Sequence, residues 1–348
     1  DFTGSYTGVF ANANVGTGKT VTISPTYSGA DVSNYNIANH STITADISKK
    51  ALTATASASN KVYNGNTTAN VTLSLSGYIG SETLNSSNSS TFNNKNVGTS
   101  KTVTVNSITL SNGSNGGLAA NYSISAGQTT TANITAKALT VSGITASNKT
   151  YDSNTTATLN TGSVSYSGLV GGDVFNGTYT GAFSDKNVGT GKTVTITPSY
   201  TGADVSNYSI TNQSSTIANI TTKALTVSSI TTSNKTYDGN TVATLNTSSV
   251  LYSGLVAGDT FSGSYTGAFA NANVGTGKTV TISPTYSGAD VSNYNIANHS
   301  TITADISKKA LTATASASNK VYNGNTTANV TLSLSGYIGS ETLNSSNS

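Results

Sequence analysis

The segment with the clearest look of chemistry is Gly16-Thr17-Gly18-Lys19-Thr20, repeated at residues 189–193 and 275–279. A lysine that follows glycines and precedes a hydroxyl residue resembles the end of a phosphate-binding loop. That loop needs a further glycine five positions before the Gly-Lys pair, where this chain has Ala13, Lys186 and Ala272. A fourth copy departs more, with Ser100 before Lys101. Each copy also runs into alternating Val, Thr and Ile, a strand pattern, so no helix N-terminus faces a phosphate. The expectation is a hairpin turn.

Other reactive side chains are sparse. There is no Cys, and His40 and His299 are the only histidines. Each stands alone, as a polar surface residue would. Asp31, Asp204 and Asp290 recur in Gly-Ala-Asp-Val-Ser-Asn-Tyr, which suits a side chain bonding its own turn. A calcium site would want clustered carboxylates, and the whole chain has 11 Asp. An internal Lys–Asn isopeptide bond needs a buried lysine, an asparagine and an adjacent acid, and the sequence singles out no such trio. No catalytic, cofactor or metal residue is assigned, and the chain reads as a non-enzyme without a cofactor.

The elements that hold these residues follow from composition and repetition. Thr, Ser, Asn and Gly make up 191 of the 348 residues, and charged residues are 8%. Net charge is +3, all basic residues are Lys, and no Lys cluster exceeds a pair. That disfavours nucleic acid as a partner. No apolar run reaches the ~20 residues of a membrane-spanning helix. Helix formers such as Glu, Gln, Arg and Met are nearly absent, which disfavours an α-rich fold. Disorder is opposed by only 3 Pro, low net charge and regular apolar alternation.

Lys-Ala-Leu-Thr recurs with its alanines at Ala51, Ala138, Ala224 and Ala310, spacings of 87, 86 and 86. Three further markers keep the same register. Lys-x-Tyr-Asp/Asn-Gly/Ser-Asn carries Tyr63, Tyr151, Tyr237 and Tyr322, with acids at Asp152 and Asp238. Asn-Val-Gly-Thr begins at Asn14, Asn96, Asn187 and Asn273. Asn-Tyr places Tyr35, Tyr122, Tyr208 and Tyr294. Residues 1–89 match 260–348 at 86 of 89 positions, so a three-unit super-repeat overlies the short one. The divisions are 1–50 (partial, type C), 51–137 (repeat A), 138–223 (repeat B), 224–309 (repeat C) and 310–348 (partial, type A). Because the ends fall inside units, the chain is expected to be a segment of a longer protein.

The period of two, with Gly and Asn turns, predicts six to eight short strands per unit. The expected fold is all-β: a tandem array of small Ig-like β-sandwich domains of about 86 residues. Unit junctions lack Pro and Gly, so strand should pass almost directly into strand and the units should form an elongated rod. The marker tyrosines read as packing and corner residues, since every unit needs the same packing. Sugar-stacking platforms are the alternative.

Lys149-Thr150-Tyr151-Asp152 and Lys235-Thr236-Tyr237-Asp238-Gly239, followed by Asn-Val-Gly-Thr-Gly-Lys and Asn-Tyr-Ser-Ile, resemble the YDG-type repeat domain of bacterial surface adhesins. Such domains often occur in filamentous-haemagglutinin-like exoproteins. The resemblance spans essentially the whole chain and is weakest in repeat A, which has Asn64 for the motif Asp. It implies an exported, non-enzymatic, extracellular protein of the bacterial cell surface, with the repeats acting as a stalk. Two alternatives remain: repeats that bind host or matrix glycans or other surface proteins, and repeats that self-associate into a filament or sheath. An ice-binding face would need Thr-x-Thr pairs at a short regular spacing, which is absent.

Overall fold

The computed structural model describes residues 1–343, so the last five residues of the partial repeat 310–348 lie outside the described residues. The fold is all-β. Among the described residues the helical segments are four 3-10 turns of three residues each. The chain forms two compact units. One comprises residues 1–143, 164–178 and 198–213; the other comprises 144–163, 179–197 and 214 onward. Repeat A lies wholly in the first and repeat C wholly in the second.

Repeat C shows the pattern. Its opening strand Lys223–Ser228 pairs parallel with Tyr294–Ala297 and antiparallel with Leu251–Ser253. A five-stranded sheet follows the order Lys235–Thr236, Thr301–Ser307, Gly275–Ser287, Ser262–Phe269, Val242–Ala243. The two longest strands form a hairpin in which Tyr265 faces Pro284 and Phe269 faces Val280. With Thr231–Thr232 and Leu245–Asn246 the repeat has ten strands, not six to eight, because four are only two residues long. Segments that short leave no periodic signal in the sequence.

Alternation decides which residues are inside. In Gly275–Ser287, Val280 and Ile282 are buried while the flanking threonines face out. Val227, Ile230 and Ile282 pack with Tyr252, Tyr265, Tyr286, Ile296 and Ile302. With Thr and Ser on the outward face, one apolar face is enough to hold each strand.

The Gly-Thr-Gly-Lys segment is not the hairpin turn expected above. It opens the long strand, and the pairing with Thr301–Ser307 slips between Gly275 and Lys278. This is a β-bulge, with Gly277 at φ +57°, a left-handed conformation that glycine adopts without strain. The Gly277 N–H donates to Asp305 Oδ1 at 2.7 Å, and Lys278 Nζ folds back to Asn271 Oδ1 at 2.5 Å. The lysine therefore closes its own loop.

One repeat passes into the next with little interruption. Thr129–Thr135 is separated from Lys137–Ser142 by Ala136 alone, and Ser215–Thr221 from Lys223–Ser228 by Thr222 alone. At these two junctions no linker of Gly, Pro or charge intervenes.

Candidate functional site

The sequence markers converge on the places where one repeat meets the next. At the A–B junction the first contributor is the loop around Tyr63. Lys61 Nζ donates to the carbonyls of Asn66 and Thr68 at 2.7 and 3.0 Å, which ties the loop into a ring. In repeat B, Lys149 does the same with Asn154 and Thr156, and also pairs with Asp152 at 2.6 Å. Asp152 Oδ1 accepts the Asn154 N–H, and Asn154 Oδ1 accepts the Thr156 N–H. In repeat C, Lys235 and Asp238 form the same pair at 2.7 Å. The Lys and Asp of the motif are thus loop-closing residues. Burial raises the cost of the Asp152 charge, but the hydrogen bonds from Lys149 and Asn154 outweigh it and hold its carboxyl below the usual value.

The ring aims the tyrosine at the next repeat. Tyr63 and Tyr151 are essentially fully buried. Tyr63 meets Tyr208 of repeat B edge to face, with centroids 5.6 Å apart, and Tyr151 meets Tyr294 of repeat C with the same spacing. The Tyr63 hydroxyl donates to Asp173 at 2.9 Å, and the Tyr151 hydroxyl donates to Asp259 at 3.0 Å. Tyr208 and Tyr294 also donate to those acids while accepting the N–H of Val170 and Val256, both at 2.9 Å. Burial first, then the adjacent carboxylate, pushes each of these two phenols up to about 12.

The glycine of the motif is part of this contact. Gly65 has φ +81°, and a Cβ there would lie 2.8 Å from Val170 of repeat B. Gly65→Ala should therefore cost about 1–3 kcal/mol, from left-handed backbone and a forced shift of Val170. Urea denaturation of the variant checks this. Repeat B places Ser153 at the same position with φ +65°, where its hydroxyl donates to Asp259 at 2.8 Å.

The second and third markers meet each other. Asn207 is fully buried; its Oδ1 accepts the Val97 N–H at 2.9 Å and its Nδ2 donates to Asn96 Oδ1 at 3.3 Å. Asn293 does the same with Val188 and Asn187, at 2.9 and 3.2 Å. Asn121 does so with Val15 and Asn14, at 2.9 and 3.0 Å. The Asn of Asn-Tyr therefore reads the Asn-Val of the preceding repeat at three junctions. Asn207→Leu leaves the Val97 N–H without a partner and should cost about 1–3 kcal/mol.

The fourth contributor is ionic. Lys95 of repeat A pairs with Asp204 at 2.8 Å and Asp173 at 3.1 Å in repeat B. Lys186 of repeat B pairs with Asp290 at 2.9 Å and Asp259 at 3.4 Å in repeat C. The acids are 0–9% exposed, the lysines 36%. Asp204 was expected to bond its own turn. Its Oδ1 does accept Asn207 Nδ2 of that turn at 3.5 Å, though it makes no cap on the turn's backbone, and the carboxylate also reaches Lys95 at 2.8 Å and the Val174 N–H at 2.9 Å. His299 likewise has a partner, since its Nδ1 accepts the Ile230 N–H at 3.3 Å.

Burial raises the cost of charge on Asp173 and Asp259, but hydrogen bonds outweigh it. For Asp173 they come from Tyr208, Lys95 and Tyr63; for Asp259, from Tyr294, Ser153 and Tyr151. Lys95 and Lys186 in turn hold Asp204 and Asp290 low, helped by backbone N–H groups. All four carboxyls sit below their ordinary value. The unfolded chain therefore binds their protons first as pH falls, and folded stability falls with it. Their contribution is complete above about pH 4 and is lost below it. Hydrogen exchange between pH 2 and 5 should show the Tyr63 and Tyr151 amides losing protection as the solution is acidified.

This trio of a lysine and two acids is the set that an isopeptide bond would use, with Asp in place of Asn. Condensation needs a neutral amine and a protonated carboxyl. The junction favours the opposite charge state, because the hydrogen bonds that Lys95 and Lys186 donate to the acids push both amines well up. The intact mass should equal the sequence mass, with no loss of water. No group of three or more His, Cys, Asp or Glu that would hold a metal occurs among the described residues.

The remaining marker residues do not meet the lysine and aspartate pair. Tyr122 is buried, accepts the Ile79 N–H at 3.1 Å and donates to Glu82 at 2.5 Å. Tyr237 donates to Glu341. Tyr35 is 67% and Tyr322 94% exposed. Sequence reasoning missed Lys95, Lys186, Asp173, Asp259, Asn207 and Asn293. The signal lay in the position where a phosphate loop would need glycine: it is Lys in A and B and Ala in C.

Mixed β-sheets and motif residues that join successive copies define a tandem-repeat all-β protein. The chain belongs to the YDG domain family: the family model matches residues 2–45, 48–132, 135–216 and 221–304. No match is found among curated proteins.

Proposed function

We propose that the chain is part of the stalk or fibre of a long bacterial cell-surface adhesin. In this reading the repeats are small β-sandwich modules stacked as an elongated rod. The rod projects a binding tip or forms an extracellular filament, and it acts without catalysis or a cofactor. The observation that carries it is the use of the motif residues. Tyr63, Tyr151, Lys95, Lys186, Asn207 and Asn293 all engage the adjacent repeat rather than an open cleft. A module whose most distinctive side chains fix its neighbour is suited to transmitting length and force. Direct passage of strand into strand at Ala136 and Thr222 supports the same reading.

Small-angle scattering of the 348-residue chain tests the proposal. A maximum dimension above about 120 Å is expected, and that of a compact globule of this mass would contradict it. Glycan-array binding separates the stalk from direct adhesion to host or matrix glycans. Signal that grows with repeat number would replace the stalk reading, and absence of binding supports it. Electron microscopy showing laterally bundled ordered fibres would favour self-association into a filament or sheath.

A further inference from the structure

The charged residues at the junctions change together. At A–B, Lys95 faces Asp173 and Asp204. At B–C, Lys186 faces Asp259 and Asp290. At C–A the lysine position is Ala13 or Ala272, the first acid is Glu82 or Glu341, and the second acid is replaced by Leu118. The lysine is present where the following repeat brings two aspartates and absent where it brings Glu and Leu. The uncharged parts of the contact are common to all. Asn121, Asn207 and Asn293 make the same bond to the preceding Val N–H.

We infer that this lysine/acid pair is an ordering code, which separates the junction into repeat A, without the lysine and both aspartates, from the junctions into repeats B and C, which have all three. The physical ground is the asymmetry of buried charge. A buried carboxylate pair with its lysine is tolerated, whereas the same pair without it leaves uncompensated charge. Asp173 and Asp204 are 3% and 8% exposed, so water does not substitute for the amine. Conversely, a lysine before repeat A meets one Glu and Leu118 rather than two aspartates. Wrong neighbours are therefore penalised at the charged position, while the shared Asn and Tyr contacts supply attraction that does not discriminate. Near-identical tandem repeats are prone to pairing out of order during folding, and such a code acts against it. The inference concerns order alone and does not depend on the stalk reading.

The test is a full-length chain with repeats A and B exchanged, so that Ala13 precedes repeat B. Amide exchange at Val170 and Tyr208 should accelerate about tenfold or more relative to the native order. Adding Ala13→Lys to the exchanged chain should restore protection, whereas Ala13→Lys in the native order should give no gain. Equal protection in both orders, or an equal gain from Ala13→Lys in both, would overturn the code. Should the exchanged chain not fold, the native order serves. Lys95→Ala should accelerate exchange at the same amides, and Lys95→Ala with Asp204→Asn should recover most of the loss, because Asn still accepts the Val174 N–H. A double variant no better than Lys95→Ala alone would also overturn it.

Discussion

Tyr151→Ala is expected to destabilise the unit that contains it by about 3–5 kcal/mol, the range for deleting a fully buried aromatic side chain. The ring packs in one core with Ala157, Phe183, Val194, Ala218 and Ile220 of repeat B and with Leu225 and Tyr294 of repeat C. Its loss opens a cavity between them and removes a hydroxyl donor from Asp259, which is fully buried. Tyr151→Phe keeps the ring and loses the hydrogen bond alone, so it should cost about 1–3 kcal/mol. Urea denaturation followed by circular dichroism separates the two. If both variants cost the same small amount, the ring does not fill the junction.

The second large effect is expected from Leu139→Ala, at about 2–5 kcal/mol. Leu139 is 0% exposed and is the third residue of the first strand of repeat B. The core it belongs to contains Tyr63, Ala69, Val71, Phe92, Val103, Val105, Ala132 and Ile134 of repeat A together with Phe175 and Tyr208 of repeat B. A leucine near the beginning of one sequence repeat thus lies in a core shared with the repeat before it. Leu225 occupies the same position with respect to repeat B. Leu139→Ala should therefore lower the protection of Val103 and Val105, although they lie in the preceding repeat. Unaffected amides at those two residues would show that each repeat closes its own core.

These effects also show how much could be read from residues alone. The strands were legible because Val280 and Ile282 alternate with threonines, and because Lys-Ala-Leu-Thr returns at a fixed spacing. The two-residue strands at Thr231–Thr232 and Val242–Ala243 were not, since two residues carry no period. The Gly-Thr-Gly-Lys bulge was misread as a turn because glycine serves both, and only the pairing partner distinguishes them. The junction was the least legible part. Tyr63 and Asp173 are 110 positions apart, and Val97 and Asn207 also 110. Each marker was visible as a repeating word, but which word touches which depends on how the last sheet of one repeat meets the first of the next. The joint change of Lys95, Lys186 and Ala272 with Asp204, Asp290 and Leu118 was a sequence signal for that contact.

The central claim is that adjacent repeats share a core at the A–B and B–C junctions, held by the tyrosine that the Lys-x-Tyr loop presents. Hydrogen exchange of the Tyr151→Ala chain, resolved by residue, tests it most directly. The account predicts lost protection in repeat B at Val194 and, to a similar extent, in repeat C at Leu225 and along Tyr294–Ala297. Loss confined to repeat B, with Leu225 and Tyr294–Ala297 exchanging as in the unsubstituted chain, would contradict it.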